Sequence, residues 1–311
     1  MRELARWCLL RIGGAVFVLW AVATLTFFAV RLIPGDPAEA LLGGPGSQTS
    51  PEALAAVRVQ YGLDQSLPVQ YLAQLGRLLT GDLGRSYALK VDVAPLILSQ
   101  LWGTLILAIC ALAVAWLIAV GLVVWATRGG RVAWAIGSGI EIVAAALPSF
   151  WLATALIVLF SSWLGWLPPI STPGPIGLIL PMLALAIPLA GFLGQVMREP
   201  MSAALDAPFV VSARARGEGD IGIRMRHVLR HAALPAISLS GWAFGSLISG
   251  AVVVETIFAR PGLGRTLLNA VTVRDVPVVL GVVLVVALAY ILMTITTDAL
   301  SRIVDPRVRN A

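Results

Sequence analysis

Apolar residues are gathered into six long runs, at 12–30, 101–127, 136–163, 176–196, 236–255 and 276–297, separated by short polar stretches. Each run is about as long as the roughly 20 residues a helix needs to cross a bilayer, and only helices or closed barrels satisfy the backbone in lipid. Within the runs apolar positions do not alternate with polar ones, which excludes barrel strands. The pattern therefore predicts an all-α membrane protein with six transmembrane helices. Between the first two runs lies a segment, 31–98, that is polar by the standard of this chain. Turn signals punctuate it at Pro34-Gly35-Asp36-Pro37, Gly43-Gly44-Pro45-Gly46 and Gly81-Asp82. Residues 51–60 and 68–79 read as short amphipathic helices, the second with Leu72, Leu75, Leu78 and Leu79 at helical spacing. The expected organisation is a first helix (1–30), an extracytoplasmic segment (31–98), a five-helix core (99–303) containing a loop at 197–235, and a tail (304–311).

The first run follows Arg2, Arg6 and Arg11 and is longer than the core of a signal peptide, so it is expected to be retained as a helix. Six spans put both termini on one side. Of the 22 basic residues, 14 fall on the side of the termini and 8 on the other, where most belong to the long 31–98 segment that counts little. The termini and the 197–235 loop are thus expected in the cytosol.

That loop carries Arg198, Arg214, Arg216, Arg224, Arg226 and Arg230. Asp206 with Pro208 reads as a helix start, Gly217 and Gly219 as a break, and Asp220 as the cap of a second helix running to about His231. Two short basic helices between spans suggest a docking surface for another protein. Pro148, Pro181 and Pro188 predict kinked or broken third and fourth spans, which line a cavity or simply pack. Gly241, Gly245 and Gly250 form a small-residue stripe suited to close helix packing, within the chain rather than at a dimer seam.

Composition, at 59% hydrophobic and 12% charged, rules out a soluble domain, since globular chains average about a quarter charged residues. The net charge of +6 is assigned to cytosolic arginines rather than to nucleic-acid binding. Cys8 and Cys110 lie in or beside apolar runs and read as small apolar residues. The only lysine, Lys90, precedes Val91, so there is no phosphate-binding loop. His227 and His231 stand four apart, but Val228 occupies the place of the glutamate a zinc-protease helix needs, and arginines surround them. They read as interface residues, no metal site is expected, and the chain is expected not to be an enzyme. Glu141, Glu255 and Asp298 sit near span ends, where a carboxylate is tolerated without a partner. A proton- or sodium-coupled carrier or a channel would need midplane carboxylates or its own gate. Energy is therefore expected from elsewhere, through the basic loop.

Several blocks together resemble a known family. They are Tyr61-Gly62-Leu63-Asp64, Leu67-Pro68-Val69-Gln70-Tyr71, Gly81-Asp82-Leu83-Gly84-Arg85-Ser86, Glu255-Thr256-Ile257-Phe258, Pro261-Gly262-Leu263-Gly264-Arg265, Arg274-Asp275-Val276-Pro277 and Asp305-Pro306-Arg307-Val308-Arg309. In this order, and covering nearly the whole chain, they resemble the first membrane subunit of ATP-binding-cassette importers of the dipeptide, oligopeptide and nickel class. The resemblance implies a type I importer permease fold in a bacterial cytoplasmic (inner) membrane. Implied partners are a second homologous permease, two ATPase subunits, an extracytoplasmic substrate-binding protein and membrane lipid. ATP and Mg would be bound by the ATPases, with no cofactor on this chain.

The resemblance also assigns roles. Ala213, Arg214, Ala215, Arg216, Gly217 and Glu218 correspond to the loop that couples to the ATPase, and Arg226, His227, Arg230, His231 and Pro235 belong to the cytosolic helix after it. Glu255, Phe258, Pro261, Gly262, Leu263, Gly264, Arg265, Arg274 and Asp275 correspond to an outer loop facing the binding protein, either entering its cleft or serving as a turn. Glu218, Gly219 and His231 depart from the family's usual apolar, small polar and Asn residues. The implied function is one half of a pathway for di- or oligopeptides. The same architecture carrying nickel, a metal chelate, glutathione or another small solute is the alternative.

Overall fold

The computed structural model describes residues 2–32, 36, 38–39, 42 and 50–304, without the side chains of 2–8, 10 and 300–304. The turns at 34–35 and 43–46 and the 305–311 tail, with Arg307 and Arg309, lie outside the described residues. Among those described, the chain is helical, with one isolated antiparallel bridge between Arg85 and Asp92. Five helices are long and apolar enough to cross a membrane, and six if one sharply bent pair counts as a single span. Contacts divide the chain into two units, 1–103 with 261–291 and 104–260 with 292–311.

In the first unit, α1 (Arg2–Leu32) precedes two short helices, α2 (Pro51–Gln60) and α3 (Leu67–Leu79). The Ser50 hydroxyl accepts from the Ala53 N–H at 3.2 Å and so caps α2, whose first position is a proline. The N-terminal part of α4 (Val93–Arg128) packs against α10 (Leu263–Thr272) and the start of α11 (Val276–Val304). Val93, Ile97, Leu263, Val278, Val279 and Val282 form the buried centre. At 36 residues α4 is about 54 Å long, well beyond about 30 Å of hydrocarbon, so it carries its turns past the membrane.

The second unit is built around α7 (Ile176–Leu205), which packs against α5 (Gly130–Ala146), α6 (Ser149–Leu156) and α9 (Asp220–Ile257). Between α5 and α6 the chain bends by 101° at Leu147-Pro148. Proline drives the residue before it out of the helical region, and Leu147 is extended, with ψ of 121°. The third predicted span is therefore a sharp break, continued by a π-helical stretch at Ile157–Trp163.

Of the two outcomes expected for the fourth span, kinked or broken, a break does not occur: α7 runs unbroken through Pro181, Pro188 and Pro200. Each proline removes one backbone bond, but the flanking turns keep theirs and fourteen buried residues hold the helix. The predicted second cytosolic helix is likewise not separate. α9 runs from Asp220 through a π-helical stretch, Ile223–Val228, and past Pro235 into the fifth span.

Candidate functional site

The 206–235 stretch forms one turn on a fixed base. Helix α8 (Pro208–Ala215) starts at an N-cap of Ala207, not Asp206, because Pro208 takes the first helical position and leaves Asp206 as the C-cap of α7. Gly217 ends α8 with φ of +78°, the left-handed region that glycine adopts at no steric cost. The Gly217 N–H donates to the Arg214 carbonyl (2.9 Å) and the Glu218 N–H to the Ala213 carbonyl (3.2 Å), the pair of bonds of a Schellman cap. Ala213 is buried, whereas Arg214, Ala215, Arg216 and Gly217 are exposed.

Asp220 is the first residue of α9, behind a Gly219 cap, rather than the cap itself. Its carboxylate accepts from Arg224 at 2.8 Å and pairs with Arg128 at 3.1 Å. The Arg224 guanidinium, buried, also donates to the Thr127 hydroxyl (2.7 Å) and carbonyl (3.2 Å) at the end of α4. Glu218 faces His227 Nε2 at 2.8 Å and Arg226 at 3.9 Å, while the His231 ring lies 5.3 Å from Phe209 of α8. Arg230 and Pro235 are exposed. The two histidines thus join α8 and its turn to α9.

Most of the residues assigned to the outer loop at 255–275 are buried. Glu255, Phe258, Gly262, Leu263, Gly264 and Asp275 are all buried, and only Pro261 and Arg265 are well exposed, with Arg274 partly so. The reason is local. Glu255 accepts from the Thr104 hydroxyl at 2.6 Å, and Asp275 accepts from the Ser86 hydroxyl (2.5 Å) and the Tyr87 and Ala88 N–H groups (3.1 Å each). A buried carboxylate needs such donors, and these residues act as anchors. A Cβ at Gly103 would stand 2.7 Å from the Pro261 carbonyl oxygen, so this turn packs directly on the backbone of α4.

Inside the second unit, Glu141 of α5 is not the unpartnered span-end carboxylate that was expected. It is fully buried and ion-paired with Arg198 of α7, itself 7% exposed, whose guanidinium also lies 5.2 Å from the Trp134 ring. The pair forms because α5 and α7 touch backbone to backbone. A Cβ at Gly191 would meet the Glu141 carbonyl oxygen at 2.5 Å, and one at Gly194 the Glu141 side chain at 3.0 Å. Toward the bend at Pro148, a cleft of about 490 Å³ is lined by Ser149, Pro188, Phe192, Trp242, Ser246 and Ser249, among others. Gly250 borders it, and a Cβ there would stand 2.9 Å from the Leu185 side chain; a Cβ at Gly241 would stand 2.8 Å from the Thr297 hydroxyl, and Gly245 is half-buried.

With this geometry in hand, comparison with known proteins is decisive. The description "Binding-protein-dependent transport system inner membrane component" matches residues 111–310, and that of the N-terminal part of such membrane components matches residues 4–108. The chain belongs to this family. It is a multi-pass inner-membrane permease component of an ATP-binding-cassette importer, and such components are not themselves catalytic. A putative peptide transport system permease protein of Brucella abortus (strain 2308) is 37% identical over 311 residues, 96% of this chain and 97% of the relative. The glutathione transport system permease protein GsiC of Salmonella typhimurium (strain LT2) is 34% identical over 305 residues, with the same coverage. Among solved structures, the inward-facing MetNI methionine ABC transporter superposes with a TM-score of 0.52 at 18% identity, covering 68% of this chain and 96% of that one, a likeness of fold.

Reading the permease from its sequence alone missed three contacts that organise these sites: Arg224 with Thr127, Asp275 with the 86–88 loop, and Glu141 with Arg198. Each joins residues at least 57 apart in the chain, so no local spacing announces it. The one available signal was the rarity of carboxylates in so apolar a chain.

Proposed function

We propose that this permease forms half of the pathway of a peptide importer, with a second permease, two ATPases and an external binding protein completing the assembly. The observation that carries the reading is the 213–218 turn. It exposes Arg214 and Arg216 beyond a capped helix end whose base is pinned by Arg224 to the end of α4. A rigid exposed projection can pass a push from a docked ATPase into α7 and α9 without absorbing it. The arginine bias supports a cytosolic position for this turn. Small peptides, glutathione included, are favoured as cargo by the relatives at 34–37% identity. The cleft at the Pro148 bend suits such a solute, since Ser149, Ser246 and Ser249 offer hydroxyls and Phe192 and Trp242 offer ring faces to side chains.

The test is uptake of a labelled dipeptide by the complete importer in liposomes. Gly217→Val forces a β-branched residue into the left-handed region at about 1–3 kcal/mol, paid only by the turn, because nothing lies within 4 Å of the glycine. Uptake and ATPase association should fall about tenfold while the membrane-inserted yield stays unchanged. Arg214→Glu with Arg216→Glu should do the same without touching the backbone. Unchanged uptake in both variants would sink the coupling role.

A further inference from the structure

The loop after α3 holds a second polar site. Its backbone is wound around the buried Asp275, with the Ser86 hydroxyl also receiving the Leu89 N–H at 2.9 Å. This winding forces Lys90 to a φ of 56°, and two bonds hold it there, from the Lys90 N–H to the Ser86 carbonyl (3.0 Å) and from the Arg85 guanidinium to the Lys90 carbonyl (2.7 Å). A lysine in the left-handed region costs about 1–3 kcal/mol and persists only where its surroundings over-determine it. Lys90 is the only lysine among 22 basic residues.

Lys90 lines a cleft of about 530 Å³ together with Arg77, Arg85, Asp82 and Asp92. Its apolar wall is the Tyr61–Tyr87 ring pair, with centroids 4.7 Å apart. Among the described residues the charges of the cleft do not balance. Asp82 accepts the Gly84 N–H at 2.8 Å, and Asp92 pairs with Arg85 at 3.3 Å. Neither Arg77 nor Lys90 has a carboxylate partner among the described residues. Burial pushes the Tyr87 phenol above the usual tyrosine range.

We infer that this cleft docks an acidic side chain of the external binding protein, with Arg77 and Lys90 as the receiving cations and the tyrosine pair as the apolar ledge. A protein occupant is favoured over a free solute because both cations are exposed. A small carboxylate would leave them hydrated, whereas a protein surface closes over the cleft and strengthens the ion pairs as water leaves. The inference rests on the importer reading above and names the surface through which its external partner engages.

The test uses the complete importer in lipid nanodiscs, titrated with its purified external substrate-binding protein. Arg77→Glu with Lys90→Glu should weaken binding about tenfold or more at low salt and flatten its salt dependence. In the unmodified importer, acetylation of Lys90 by an amine reagent, followed by mass spectrometry, reads the site without any substitution. Bound binding protein should slow that acetylation several-fold. Equal affinity and salt slope in the double variant, or equal acetylation with the binding protein bound, would overturn the inference while leaving the importer reading intact. Protection by a free dipeptide alone would overturn it in favour of a solute site. A binding protein that fails to bind even the unmodified importer would overturn both readings.

Discussion

The loop after α3 and the turn between α8 and α9 are each secured through one aspartate, Asp275 in the first and Asp220 in the second. Asp275 is 2% exposed and accepts from one hydroxyl and two backbone N–H groups. The Asp220 side chain is 43% exposed and is shared between the guanidinium groups of Arg224 and Arg128. In the first case a desolvated carboxylate and neutral donors have no alternative to one another. In the second, water and salt compete for Asp220 and Arg128, while Arg224 is buried. The loop after α3 is therefore a fixed framework, and the turn between α8 and α9 owes its position less to Asp220 than to the glycine cap and to the buried Arg224–Thr127 contact. That contrast separates residues that hold a surface in place from residues that form one.

Substitutions can break the contrast in order of size. Asp275→Ala leaves the hydroxyl of buried Ser86 and the N–H groups of half-buried Tyr87 and exposed Ala88 without their acceptor, and each unsatisfied buried group costs about 1–3 kcal/mol. It should give the largest loss, seen as a collapse of folded yield and a lower thermal midpoint in detergent, and Asp275→Asn should recover part of it. Glu141→Ala comes next. It strands the Arg198 guanidinium at a cost of about 3–5 kcal/mol, lessened if the arginine can reach water. Adding Arg198→Met should restore much of that midpoint, because a buried pair replaced by apolar residues is close to neutral. A double variant no more stable than Glu141→Ala would mean that the two residues do not act as a pair. The smallest effect belongs to Asp220→Asn, which removes half-exposed ion pairs worth about 0–1 kcal/mol. Its midpoint should barely move, and high salt should erase the difference from the unmodified chain. A loss comparable to that of Asp275→Ala would refute the contrast.

Much of this was legible in the chain itself. The first span, the short helices at 51–60 and 67–79 and the position of the exposed basic turn follow from apolar run length, proline at a helix start and glycine after a helix end. Other features were not. Asp206 and Asp220 both look like N-caps, yet neither is one, because Pro208 and Gly219 set the helix registers. The 255–275 residues look like a displayed loop because glycine, proline and charge usually mark solvent. Here the charges find buried donors at Thr104 and Ser86, far away in the chain.

Run length and composition by themselves determined that the chain is a helical membrane protein, since lipid leaves the polar backbone of an apolar run no partners but its own N–H and C=O groups. The absence of a phosphate loop and the exposed arginines around Gly217 followed from residue identity alone. Only the tertiary structure decided which charges are structural. Whether Glu141, Asp275 or Asp220 holds the fold or meets water depends on which donors the packing brings within about 3 Å. Close approaches at Gly191, Gly194 and Gly103 set those distances. A hydrogen bond is a matter of ångströms between residues remote in sequence, and hydropathy carries no record of it.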